Sequence, residues 1–317
     1  MMRMGYIVLL MSLCVLAACT HKELCLDHSH IVSLDVKFDW SKAPDASPKS
    51  MSLYLFSEDG TKPQRYEFSG REGGTIRLSR GVYHAVCLNS DTRNIECRDK
   101  ENISTFLVAS RDENVSGNSM GLGAMFSAMM QNEIREDERC ARQPEMLWIG
   151  NGYDFSAAED GDVLMLIPEQ SVIRITINIY NVSNLRNVAS IAGTLSGLSE
   201  GVLAGTGELN GVCVTHPFEV VKSDDYTSLY ADLLVFGDCL HGDKKHYIDI
   251  YTTLVDGSHW KYSYDVTEDV HEADNELHIN IVLDSLPVPE PAPGTGSGGV
   301  FAPTLGDWIN VDQEIKM

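Results

Sequence analysis

Two serines of this chain lie in the Gly-x-Ser-x-Gly pattern, which can present a nucleophilic hydroxyl on a sharp turn. Ser119 is the centre of residues 117–121, and Ser199 is the centre of residues 197–201. Such a nucleophile elbow needs an apolar strand directly before it and a helix after it. Residues 111–116 are polar, and a glycine-rich stretch without a helical pattern follows Ser199. The sequence therefore predicts no catalytic residues, and we expect no enzymatic activity.

Histidines are the second group that could do chemistry. His28 and His30 share one face if they lie on a strand, and beside Asp27 they could bind a metal ion. No further ligand is indicated, so exposed polar residues ahead of the first strand are the preferred interpretation. His241 and His246 flank a polar turn and are predicted to be solvated. Phosphate-loop and dinucleotide motifs are absent from the sequence. We expect no metal, no cofactor and no small-molecule substrate.

Cys19 is the cysteine with the clearest chemical role. It follows one cation, Arg3, an apolar run over residues 6–16 and two alanines. The run is about 11 residues long, well under the roughly 20 needed to span a bilayer. This layout is typical of a secretory signal peptide, and small residues before a cysteine form the lipobox of bacterial lipoproteins. We expect cleavage between Ala18 and Cys19, which removes residues 1–18 and leaves Cys19 carrying acyl chains such as palmitate.

Acylation and charge together predict how the protein meets a membrane. Each buried methylene of an acyl chain contributes about 0.8 kcal/mol, so several chains make the attachment permanent. Residues 19–30 then form a lipidated N-terminal segment. The formal net charge of −22 argues against a nucleic acid partner and against a body lying flat on an anionic leaflet. We expect a folded body held to the membrane by its lipid alone.

The remaining cysteines leave the disulfide pattern open. Six of the eight cysteines follow Cys19, and an exported protein can form disulfides. Six cysteines can pair in many ways, and the sequence does not choose among them. Cys87 and Cys97 flank a predicted turn and are the preferred pair, while unpaired buried cysteines remain an equal alternative.

Apolar and polar residues alternate in two series of short segments. The first series begins with Val32 to Trp40, and the second begins with Ile173 to Ile179. A period of two predicts half-buried strands, and turn residues between them favour antiparallel sandwiches or barrels. The two series indicate two domains, residues 31–155 and residues 156–286. Between them, helical spacing predicts one short helical insertion that contains Met125, Phe126, Met129, Met130 and Ile134.

The chain changes character after residue 286. Residues 287–299 form a linker that is first rich in proline and then rich in glycine. Residues 300–317 contain a tryptophan and several β-branched residues, which predicts a segment that docks on its own domain or on another protein. The side chains expected to make that contact are Phe301, Leu305, Trp308, Ile309, Val311 and Ile315.

Six blocks of the sequence resemble the Bacteroidales fimbrillin-like lipoproteins, the superfamily that includes the FimB/Mfa-like pilus anchor and accessory subunits. The likeness covers roughly residues 16–286 and is greatest to an uncharacterised lipoprotein family within that superfamily. The resemblance implies an all-β fold of two tandem transthyretin-like antiparallel β-sandwich domains. The blocks are residues 24–30, 38–40, 51–56, 81–91, 144–148 and 175–201.

The resemblance also implies a role. Polymerising pilins of this superfamily lose their first strand by cleavage after an arginine, and a neighbour's C-terminal strand fills the groove by strand addition. This chain has no arginine between Cys19 and Gln64, and the first one is Arg65. We therefore expect the first strand and the lipid to be retained.

The expected protein is a non-catalytic outer-membrane lipoprotein of a fimbrial (pilus) system. Its expected role is that of an anchor or minor subunit, exposed at the cell surface, whose partners are other fimbrial subunits. The alternative is a surface-exposed lipoprotein that binds a glycan or a host protein.

Overall fold

The computed structural model describes residues 30–113, 138–151, 154–239, 244–275, 277–291 and 309–313. The strands in the first half of the chain are β1 (Ile31–Phe38), β2 (Ser50–Ser57), β3 (Gln64–Ser69), β4 (Gly73–Ser79), β5 (Gly81–Asn89), β6 (Ile95–Arg98), β7 (Leu107–Ser110), β8 (Arg139–Cys140), β9 (Trp148–Gly150), β10 (Asp154–Ala157), β11 (Asp162–Leu166) and β12 (Glu169–Gln170). Those in the second half are β13 (Ile173–Val182), β14 (Val188–Ser199), β15 (Gly201–Leu203), β16 (Cys213–Glu219), β17 (Val221–Lys222), β18 (Leu229–Val235), β19 (Tyr247–Leu254), β20 (His259–Asp265), β21 (His278–Leu286) and β22 (Ile309–Gln313). Within the described ranges, the helical elements are a 3₁₀ turn at Leu185–Asn187 and the short helix α1 (Thr267–His271). The predicted all-β fold is confirmed.

The first sandwich packs a three-stranded sheet, in the order β11-β1-β4, on the sheet β12-β9-β5-β2-β3, to which β10 is added beside β5. In β1 the side chains of Val32, Leu34, Val36 and Phe38 are buried and alternate with more exposed neighbours. The alternation predicted from the sequence is confirmed for this strand, because β1 has a core on one face only. Its buried face packs against Met51, Leu53 and Leu55 of β2 in one apolar cluster.

The second sandwich repeats this plan. Its sheets have the orders β17-β18-β13-β21 and β22-β20-β19-β14-β16-β8. Ile175, Ile177 and Ile179 of β13 point into the core between the sheets, where they join residues of β14, β18, β19 and β21. In both sandwiches the first strand lies between an antiparallel neighbour and a parallel one: β1 between β4 and β11, and β13 between β18 and β21.

A third apolar cluster joins the two halves of the chain. It contains Tyr54 and Phe56 of β2, Phe106 just before β7, and Val202 of β15. A small sheet in the order β15-β7-β6 runs across the same junction. The junction is therefore built from apolar packing and from backbone hydrogen bonds.

Strand pairing crosses the predicted division at residue 155. β11 and β12 lie after this residue but pair with β1 and β9. β8 lies before it but pairs with β16 in the second sandwich. The two halves thus exchange short strands at their junction.

The predicted disulfide pair is wrong. The disulfide joins Cys213 to Cys239, whereas Cys87, Cys97 and Cys140 are free. Cys87 and Cys97 lie in β5 and β6, and those strands belong to two different sheets. The predicted helical insertion, from Met125 to Ile134, lies outside the described residues. In the part of the chain that the structure describes, no helix has the length and apolar character needed to cross a membrane.

Candidate functional site

The first strand is held on both of its edges. β1 pairs with β4 from Ile31 to Lys37 and with β11 from Leu34 to Phe38. Beyond these ladders, the amide and the hydroxyl of Ser33 donate to Asp160 Oδ1 at 2.8 and 3.1 Å. No described strand position next to β1 is left for a strand from another chain.

Burial makes the same strand part of the core. Val32, Leu34 and Val36 are each exposed by 1% or less. Withdrawing such a side chain from the core costs about 1.5–3 kcal/mol. At Gly73, with φ of +95°, a Cβ atom would lie 2.2 Å from the carbonyl oxygen of Val36, so β4 approaches β1 closely only because this residue is glycine. Loss of β1 would therefore leave the first sandwich without one side of its core.

Arg65 lies inside a strand and not in a loop ahead of one. It belongs to β3 and pairs with Tyr54 of β2. Its guanidinium forms an ion pair with Glu67 and lies 5.5 Å from the centre of the Tyr54 ring. Cleavage after Arg65 would therefore interrupt a paired strand and would leave β1 in place.

The second sandwich ends in an added strand. β22 lies parallel to β20, with Ile309 opposite Trp260 and Val311 opposite Tyr262. Val311 packs, partly buried, on the core of the second sandwich, whereas Ile309 is 47% exposed. β22 is the outermost strand of its sheet, and without it β20 would present unpaired backbone groups.

The structure places two of the six predicted contact residues of the tail. Ile309 and Val311 lie on β22, and Val311 touches the chain's own second sandwich. The other four lie outside the described residues: Phe301, Leu305, Trp308 and Ile315. Cys19 and Ala18 also lie outside them. The β20 edge and the strand that covers it form the candidate site, because this geometry is that of strand addition.

Comparison with known proteins identifies the family. Residues 18–219 match the model of a family described as a domain of unknown function, DUF5119. The chain belongs to this family.

A sequence relative of this DUF5119 chain is found in Bacteroides ovatus. A candidate fimbrium anchoring subunit, Fim4B, from Bacteroides ovatus is 27% identical over 231 residues, or 72% of this chain and 64% of the relative. The match thus spans less than two thirds of that relative's length.

Two solved structures share the fold. A candidate adhesin from Bacteroides ovatus has a TM-score of 0.62 at 18% identity, covering 86% of this chain and 99% of the adhesin. A candidate polysaccharide-binding protein from Bacteroides thetaiotaomicron has a TM-score of 0.52 at 12% identity, covering 80% of this chain and 90% of that protein. At these identities the similarity shows a common fold.

In this DUF5119 chain, Ser199 is not exposed on a sharp turn as the serine of a nucleophile elbow is. Ser199 is fully buried at the end of β14, and its Oγ lies 2.5 Å from the carbonyl oxygen of Asn210, to which it donates. A hydroxyl in this position is occupied and inaccessible. Ser119, the other serine of this pattern, lies outside the described residues, as does His28.

The prediction that His246 is solvated is wrong. His246 is fully buried, and its Nε2 lies 3.1 Å from Asp238 Oδ1 and 3.1 Å from His271 Nε2. Burial lowers the pKa of His246, although the nearby Asp238 carboxylate opposes this shift. In the sequence His246 stands beside a polar turn, and nothing there indicates that Asp238 and His271 fold against it. His241 lies outside the described residues.

Proposed function

We propose that this protein is an accessory subunit of a fimbria that ties the fibre to the outer membrane, without catalytic activity of its own. Acylated Cys19 is the membrane end of the molecule, and the second sandwich with residues 300–317 is the fibre end. The observation that carries the proposal is the pairing of the first strand: β1 is paired on both edges, and the first arginine after Cys19 lies within β3, which supports retention of β1.

The retained strand separates an anchoring role from a polymerising one. A subunit that receives a neighbour's strand needs an open groove, and in the first sandwich β1 fills that place itself. With β1 in place, the chain from Cys19 into the first sandwich stays continuous, so a lipid on Cys19 stays attached to the folded body. The relative named as a fimbrium anchoring subunit supports the same role.

The fibre end engages its partner by strand addition at the β20 edge. In the single chain, β22 covers this edge through backbone pairing from Trp260 to Tyr264. The covering strand is short, and its Ile309 side chain remains half exposed. A partner strand could replace β22, or β22 could pair with a partner instead, and either exchange uses the same five-residue ladder.

The binding experiment compares chains that differ at this edge. The full chain, a chain ending at Pro293 and the Val311→Asp variant are used to capture fimbrial subunits from the parent bacterium. Val221→Asp is the matched control, because Val221 lies in the outer strand β17 of the same sandwich and is 60% exposed. We expect the truncation and Val311→Asp to change capture about tenfold or more, which corresponds to about 1.4 kcal/mol. Capture falls if β22 pairs with the partner, and it rises if the partner strand takes the place of β22 on β20. Equal capture by all four chains would remove the tail and its edge from the proposal.

The anchoring experiment tests the other end. Cells that produce Cys19→Ala in place of the wild-type chain should release their fibres into the medium, because the lipid attachment is lost. Fibres that stay on such cells would contradict the anchoring role. A chain that bound glycans but captured no fimbrial subunit would instead support the glycan-binding alternative.

A further inference from the structure

Three elements of the second sandwich bring ligand atoms to one point. Asp238 follows β18 and precedes Cys239, whose disulfide to Cys213 fixes the loop to the start of β16. His246 directly precedes β19, and His271 is the last residue of α1. Within the described residues, these are the His, Cys, Asp and Glu side chains whose donor atoms group closely enough to hold a metal ion.

The distances between the donor atoms of these three side chains are close to those between ligands that share one metal ion. The Nε2 atoms of His246 and His271 are 3.1 Å apart. His246 Nε2 lies 3.1 Å from Asp238 Oδ1, and His271 Nε2 lies 3.4 Å from Asp238 Oδ2. Ligands about 2.0–2.1 Å from a tetrahedral zinc ion are about 3.3–3.4 Å from one another. The three side chains therefore need only small shifts to share one ion.

The position of the proton on His246 points its other nitrogen at this cluster. Nδ1 of His246 lies 3.2 Å from the carbonyl oxygen of Ser196, which can only accept a hydrogen bond. In the neutral ring, Nδ1 therefore carries the proton, and Nε2 presents a lone pair to Asp238. In known metal sites, a hydrogen bond from the ring nitrogen that does not bind the metal orients the histidine in the same way.

When His246 is neutral, two lone pairs face each other. Asp238 Oδ1 is buried and receives no hydrogen bond from the described residues. Its neighbour at 3.1 Å is the unprotonated Nε2 of His246. A buried acceptor without a donor is costly, and a metal ion would satisfy the carboxylate and both imidazoles at once.

The backbone makes room for this arrangement at Gly197. This residue has φ of +81°, and an added Cβ would lie 2.8 Å from Nδ1 of His246. The same glycine accepts a hydrogen bond from the amide of Cys239 at 3.0 Å. One residue thus positions both the buried imidazole and the loop that carries Asp238.

We propose that Asp238, His246 and His271 bind a zinc ion that links α1 to the disulfide-bonded loop of the second sandwich. Two imidazoles and one carboxylate suit zinc better than calcium or magnesium, which prefer oxygen ligands. The side chains of Asp238 and His271 are 36% and 34% exposed, so water can reach the fourth ligand position. The bound ion stabilises the fold of this end of the sandwich.

The test uses the full mature chain with its disulfide intact, in buffer free of thiols and chelators. The chain is dialysed against ZnCl₂, and bound zinc and the melting temperature are measured. We expect one zinc per chain and a rise in melting temperature of about 5 °C or more at saturating zinc. CaCl₂ and MgCl₂ at the same concentration should leave the melting temperature unchanged. Visible absorption of Co²⁺ bound in place of zinc should show tetrahedral bands.

Two variants remove ligands and one serves as a control. His271→Ala changes a partly exposed ligand, and Asp238→Asn keeps the shape of the side chain but removes its charge. His278→Ala is the matched control, because His278 is exposed on β21 and contacts Thr176 instead of the cluster. We expect the two ligand variants to weaken zinc binding about tenfold or more and the control to bind like the wild type.

Zinc held elsewhere on the chain would be unaffected by these changes. A wild-type chain that retains no zinc would overturn the proposal. So would His271→Ala and Asp238→Asn variants that fold normally and retain as much zinc as His278→Ala.

Discussion

His216 is a buried histidine whose protonation is opposed by the fold. It lies in β16 with no exposed surface, and its Nδ1 lies 2.9 Å from the carbonyl oxygen of Ala141. Its Nε2 has no hydrogen-bond partner among the described residues. Burial, the largest cause, lowers the pKa of His216 from 6.5 to about 4. The folded protein therefore holds this imidazole in its neutral form.

The lowered pKa predicts a loss of stability in mild acid. Between pH 6.5 and about pH 4, His216 is protonated in the unfolded chain but neutral in the folded chain. The unfolded state therefore binds more protons, and the stability of the fold falls as the pH falls through this range. Between pH 7 and pH 5 this residue should cost about 2 kcal/mol of unfolding free energy. Urea unfolding of the wild type and of His216→Gln at both pH values measures it.

The variant supplies the control for other titrating groups. His216→Gln retains a donor for the Ala141 carbonyl but does not titrate. Its stability should therefore fall by about 2 kcal/mol less than that of the wild type over the same interval. An equal fall in both proteins would show that His216 does not drive the acid sensitivity.

At the scale of elements, the disulfide fixes one loop of the second sandwich. Cys213 and Cys239 are 26 residues apart in sequence; Cys213 is the first residue of β16, and Cys239 follows β18 next to Asp238. Closing a loop of this length stabilises a fold by about 3–4 kcal/mol in the chain-entropy model. The double variant Cys213→Ala/Cys239→Ala should lose stability of that order in urea unfolding. Cys97→Ala, at a free and partly exposed cysteine, is the control and should lose much less.

The sequence predicted elements well where one face of a strand is buried. β1 alternates because only one side of it meets a core, and this alternation is visible in the residues themselves. β2 is buried at its six inner positions, since one face packs on the first sandwich and the other on the junction cluster. β2 also contains the buried polar residue Ser52, and nothing in the sequence indicates that Ser52 is buried.

Long-range pairing explains what the sequence could not predict. The position of β11 beside β1, and of β8 beside β16, depends on which strands meet in space. The same is true of the Cys213–Cys239 bond and of the burial of His246. In each case the residue types were visible, but their partners lie in distant parts of the chain. For residues 300–317, composition alone predicts a docking segment; β22 pairs with β20 of the same chain, and docking on a partner stays a prediction.

At the scale of the whole molecule, the junction must carry load. In the proposed anchor, the lipid lies at one end of the chain and the partner contact at the other, so tension passes from the first sandwich to the second. The junction cluster supplies apolar packing, and a buried charge group adds to it. Glu200, with a side chain 5% exposed, accepts hydrogen bonds from Arg98 at 2.9 Å, from Asn210 at 3.0 Å and from Arg139.

This charge group ties several elements together. Arg98 lies in β6, Arg139 lies in β8, and the carbonyl oxygen of Glu200 accepts from the amide of Ser110 in β7. Arg98 and Arg139 are 34% and 29% exposed and keep Glu96 and Asp112 as partners, so removing the Glu200 carboxylate costs mainly its hydrogen bonds, about 1–3 kcal/mol. Glu200→Ala should therefore destabilise the protein by this order, as measured by urea unfolding with tryptophan fluorescence.

An exposed ion pair provides the matched control for Glu200. Lys42 and Glu169 are 2.6 Å apart, but their side chains are 58% and 52% exposed. Because water screens such a pair, Glu169→Ala should cost only about 0–1 kcal/mol. In single-molecule pulling between the two chain ends, Glu200→Ala should lower the unfolding force, whereas Glu169→Ala should leave it near the wild-type value. If the two variants unfold at the same force and the same urea concentration, the junction is held by the apolar cluster alone and the charge group carries no load.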